Sequence, residues 1–109
     1  MIGRLWKTGL KPGRGDAYET FAREISLPMF CKQKGFLGCV MSRDDETGLV
    51  MTFWEDLDAV KALDTSPTYQ ETVSRILAAD LLTAEQTTTI GEVHLLDLAK
   101  VATGQHDIR

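Results

Sequence analysis

The spacing of apolar side chains changes several times along the chain, and each change marks an element. Residues 2–11 (IGRLWKTGLK) mix apolar and polar positions as a strand does. Pro12-Gly13 supplies a turn, and Gly15-Asp16 opens a helix with an acid near its positive end. Tyr18, Phe21, Ala22, Ile25 and Met29 then form a helical stripe. Pro28 interrupts it, so the helix is expected to kink or to end its regular part near Leu27, with Gly35 as the residue that closes it. Strands are predicted at 36–43 (FLGCVMSR) and 49–55 (LVMTFWE), joined by the polar loop 44–48 as a hairpin.

Asp56 caps a short helix carrying Leu57, Val60 and Leu63. Ser66-Pro67 starts another, with Ser at the cap and Pro in the first turn. Its apolar face comprises Tyr69, Val73, Ile76, Leu77 and Leu81. A last strand is predicted at 87–97, and residues 98–109 read as a loose tail or an arm reaching a partner. The order is β-α-β-β-α-β with one extra short helix. That is an α+β, ferredoxin-like domain over residues 1–97, with a four-stranded antiparallel sheet and helices on one side.

The strand at 49–55 adds a second expectation. Leu49, Met51 and Phe53 point one way; Val50, Thr52 and Trp54 point the other. Strand 36–43 likewise opposes Phe36, Gly38 and Val40 to Leu37, Cys39 and Met41. Helices cover one face only, so the other is expected to meet a second copy, sheet against sheet about a two-fold axis.

Composition narrows the partners. The 109 residues carry a net charge of −4, which argues against nucleic acid, whose binding needs basic groups to release counterions. The charge is uneven, +5 over residues 1–43 and −9 over 44–109, so a weakly basic rim could favour an anionic ligand. Cys31 and Cys39, with seven residues between them, match neither a redox pair nor a zinc site, and are expected as free thiols in a reducing compartment. The first residues lack a leader-like apolar core and no apolar run approaches 18 residues, so no membrane association and a cytoplasmic location are expected.

Thr52-Phe53-Trp54-Glu55, then Asp56-Leu57-Asp58-Ala59-Val60, then Ser66-Pro67-Thr68-Tyr69, resemble a stretch typical of antibiotic biosynthesis monooxygenase-like domains. The Lys-Pro-Gly turn, the helix with an internal Pro, and Gly35-Phe36-Leu37-Gly38 agree with it, so the similarity spans residues 2–97. The resemblance implies a dimeric α/β barrel made of two such sheets, with a ligand cavity between sheet and helices. The family contains cofactor-free oxidases of polycyclic phenols, quinol oxygenases and haem-degrading oxygenases. For the last group it implies an axial His and a strand-one Asn. Val73 and Trp6 stand at about those positions, so neither haem nor any other cofactor or metal is expected.

Cofactor-free oxidation asks for aromatic walls and one or two polar groups that hold a substrate anion. Trp6, Phe21, Phe30, Trp54 and Tyr69 are the candidate walls for a small apolar or aromatic ligand, with Trp54 first because the family motif contains it. The competing assignment for each is an ordinary core position. His94, expected on the same strand face as Glu92, is the candidate base; a strand-end or dimer-seam position is its alternative. Arg4 and Arg43 could pair with a ligand anion or be solvated strand charges. Two functions remain open: a cofactor-independent monooxygenase, and a non-catalytic binding or assembly protein.

Overall fold

The computed structural model describes residues 1–101. Strand β1 (Ile2–Leu10) leads through Pro12-Gly13 to helix α1 (Gly15–Phe21), a wide π-helical turn (Ala22–Ser26) and helix α2 (Leu27–Cys31). Strands β2 (Phe36–Arg43) and β3 (Thr47–Trp54) form the hairpin; helices α3 (Leu57–Thr65) and α4 (Pro67–Ala78) precede strand β4 (Leu82–Glu92). The sheet is antiparallel in the order β2-β3-β1-β4. The expected α+β, ferredoxin-like architecture is therefore present.

Both predicted caps form. The Asp56 carboxylate accepts from the Ala59 amide at 2.9 Å, and Ser66 Oγ accepts from the Tyr69 amide at 3.4 Å. Asp44 turns the hairpin by accepting from the amides of Glu46 and Thr47, each at 2.8 Å, which shortens the loop expected at 44–48.

Four expectations need correction. Of the two outcomes expected at Pro28, a kink or an end near Leu27, the end does not occur: the helix runs to Cys31, because the wide turn before Pro28 absorbs the bond that proline cannot donate. Gly35 (φ 82°) does not close that helix; it shapes the entry to β2, where an added Cβ would lie 2.5 Å from the Ala59 methyl. In β2 a bulge between Phe36 and Gly38 resets the alternation. Phe36 pairs with Trp54 on the helix side, Cys39 and Met41 stay there, and Gly38 and Val40 turn outward. Finally, β4 occupies 82–92 rather than 87–97. Buried Leu82 pairs with Leu10 at one end, and the Val93 amide reaches Met1 at the other, where β1 runs out of partners.

The helix-facing side of the sheet is dry, with Val50, Thr52 and Trp54 of β3 buried beside Arg4 and Thr8 of β1. Two core clusters form there, one around Leu10, Tyr18, Phe21 and Ile76, the other around Met29, Phe30, Trp54 and Leu63. Trp6 touches both. The predicted face of α4 is partly correct: Ile76 is buried, Leu77 is 54% exposed, and Leu81 is buried beyond the end of the helix. Most of the expected tail, including His106, lies outside the described residues.

Candidate functional site

Between the two core clusters, under the sheet and against the helices, lies a cavity of about 200 Å³. Its position follows from side-chain parity. Arg4 and Trp6 come from β1, Met41 and Val50 from β2 and β3, and Gln86 and Thr88 from β4, all on the helix-facing side. Phe21, Ala22, Ser26, Met29 and Phe30 approach from the first helical stretch, and Tyr69, Thr72, Val73 and Ile76 from α4. Of the five predicted walls, Trp6, Phe21, Phe30 and Tyr69 line this space.

Trp54 does not line it. Its ring is 0% exposed, packs edge-on against Phe30 and Phe36 at 6.3 and 5.4 Å, and donates its Nε1–H to Thr52 Oγ1 at 2.8 Å. That is the core assignment. His94 follows the end of β4 and is exposed, not in a strand beside Glu92, and it is absent from the cavity lining. No carboxylate, imidazole, amine or thiol lines the cavity among the described residues.

The two arginines separate sharply. Arg43 is taken up by carboxylates, at 2.7 Å from Glu19 and 3.4 Å from Asp16. Arg4 is not a solvated charge: it is 6% exposed and lines the cavity. It donates to Tyr69 Oη at 2.9 Å, and its Cζ lies 5.5 Å from the centre of the Tyr69 ring. No carboxylate pairs with it among the described residues. The parity of β1 relative to Thr52 and Trp54 was the available signal for its burial.

Tyr18 is a lining residue that the helical stripe placed only in the core. Its hydroxyl is buried without a hydrogen-bond partner among the described residues and sits over Gly48, where an added Cβ would come within 2.7 Å. Burial pushes its pKa from 10.0 up to about 12. The folded chain therefore holds this proton where the unfolded chain has lost it, so the stability it contributes below pH 10 is lost as pH rises toward 12. The loss is on the order of 2–3 kcal/mol. Tyr18→Phe is expected to remove that step while leaving stability at neutral pH equal or up to about 1 kcal/mol higher, since an unsatisfied hydroxyl is deleted. Denaturant melts from pH 8 to 12 check this; an unchanged alkaline loss in the variant would refute it.

The family profile described as antibiotic biosynthesis monooxygenase matches residues 1–75. The chain belongs to the antibiotic biosynthesis monooxygenase family. Solved structures of the same fold include SnoaB, a cofactor-independent oxygenase from Streptomyces nogalater, at 17% identity and TM-score 0.70, covering 87% of this chain and 94% of that one. A protein of unknown function from Nitrosomonas europaea aligns at 18% identity and TM-score 0.73, covering 89% and 92%. A conserved protein from Methanosarcina mazei Go1 aligns at 16% and 0.69, covering 83% and 89%. No curated protein matches the sequence. Val73, which stands at about the position where the family resemblance implies an axial histidine, forms part of the cavity wall, and among the described residues no histidine lines it.

Proposed function

We propose that this protein binds a flat, hydroxylated aromatic or quinol in the cavity and oxidises it with dioxygen without a cofactor. The observation that carries the reading is the partly open, largely apolar space between Trp6, Phe21, Phe30 and Tyr69, in a chain of this family. Its volume of about 200 Å³ compares with the roughly 150 Å³ that suffices for benzene in an apolar protein cavity. For an anthrone-like substrate a ring CH2 and O2 become C=O and H2O. Carbon gives up four electrons, dioxygen takes them, and one oxygen atom leaves as water. The protein's part is to hold the ring, exclude water and favour the ionised hydroxyl from which oxidation starts.

Dimerisation belongs to the same reading. Leu5, Val40, Leu49, Met51 and Phe53 share the outer sheet face, an apolar surface that a second copy would cover. Cys31 and Cys39 are free thiols, consistent with a reducing, cytoplasmic setting, and no helix among the described residues is long and apolar enough to cross a membrane.

A second reading, a non-catalytic binder, is favoured by one observation: no general base lines the cavity among the described residues. Oxygen uptake with a panel of anthrones and quinols separates the two. Saturable uptake, unchanged in His94→Ala, is expected for the oxygenase. Tight binding without uptake across the panel would replace it with the binder.

A further inference from the structure

Arg4 poses an electrostatic problem that the fold leaves unsolved. A guanidinium is not deprotonated in proteins, and burying it without an opposite charge costs several kcal/mol. Here it is 6% exposed; among the described residues one of its five N–H donors is used, on a neutral phenol oxygen, and its other stabilisation is the face of the same ring. Because Tyr69 Oη accepts that bond at 2.9 Å, its own proton remains free to donate. No other hydrogen bond of Tyr69 Oη occurs among the described residues. Two donors, one charged and one neutral, thus meet at the wall of a cavity whose lining is mostly apolar.

We infer that Arg4 and Tyr69 form an oxyanion subsite, so that the cavity takes its aromatic ligand ionised, with the anionic oxygen against the guanidinium. This rests on the reading of the cavity as an aromatic site and adds the charge state and orientation of the occupant. The shared chemistry is an ionised oxygen on a flat ring, which a phenol or a carboxylic acid can supply. An apolar cavity alone would do the opposite, since desolvation favours the neutral form. Arg4 reverses that preference.

The test uses the full chain and a matched set of naphthalene probes, followed by tryptophan quenching and probe fluorescence. Naphthoate is expected to bind at least tenfold more tightly than naphthamide, which has nearly the same shape. Bound naphthol, whose neutral and ionised forms emit differently, is expected to titrate at least one pH unit below free naphthol. In Arg4→Gln both effects should vanish, and bound naphthol should titrate above the free probe; Tyr69→Phe should show an intermediate lowering. If only naphthol shows the effect in the wild-type chain, the oxyanion is a phenolate; if only naphthoate does, it is a carboxylate. Equal binding of naphthoate and naphthamide with unshifted naphthol titration would overturn the subsite while leaving the aromatic site standing. Failure of every probe to bind would overturn both. The wild-type comparisons decide the matter even if Arg4→Gln does not fold.

Discussion

Replacing Trp54 by alanine is expected to cost roughly 3–5 kcal/mol of folding stability, the range for deleting a large buried aromatic. The indole is 0% exposed, packs edge-on against the stacked pair Phe30 and Phe36, and satisfies Thr52 Oγ1, which itself donates to the Arg4 carbonyl at 3.4 Å. Removing it opens a cavity in the second core cluster and leaves a buried hydroxyl without the N–H it accepts. A domain of ordinary stability, about 5–15 kcal/mol, would be left marginal. Trp54→Phe should be much milder and should retain aromatic-probe binding, because the ring stands behind the cavity rather than in its wall. Urea unfolding and probe titration on both variants check this. A Trp54→Ala protein that stays fully stable and loses only ligand binding would return the indole to the site.

A larger effect is expected at the outer sheet face. In a two-fold dimer each substitution appears twice, so Met51→Glu would bury two carboxylates with no partner. At several kcal/mol per uncompensated charge, the dissociation constant should rise by more than roughly a thousandfold. Sedimentation velocity at micromolar concentration should then show a monomer in place of a dimer. A wild-type chain that is itself monomeric across this range would refute the dimer.

The pattern of elements was legible because period and caps agreed at the same places: Asp56 and Ser66 each cap the helix the apolar stripe calls for. The faces were harder. Strand β3 is apolar on both sides, so nothing in its alternation says which side the helices take. That single ambiguity concealed Arg4. Once Val50, Thr52 and Trp54 are known to face the helices, the register with β1 puts Arg4 opposite Thr52 and therefore inside. Arg43 looked equivalent in sequence, but Glu19 and Asp16 reach it only through the packing of α1 over the hairpin. The bulge at Leu37 and the start of β4 were illegible for a related reason: both depend on pairing with another strand, not on local preference.

The wide turn at Ala22–Ser26 has a bearing on the cavity beyond accommodating Pro28. It acts as one surplus residue carried inside a helix, and it shifts the angular frame of everything after it. Tyr18 and Phe21 precede it and Met29 and Phe30 follow it, and all four are buried and line the cavity. Without the surplus residue the second segment would be turned by about 100° about the helix axis relative to the first. Phe30, part of the ligand cavity, owes its direction to that offset. Chain length in this helix, and not side-chain identity alone, therefore sets the outline of the pocket. Deleting Arg23, Glu24 or Ile25 would redraw the pocket wall while leaving every lining amino acid in the sequence.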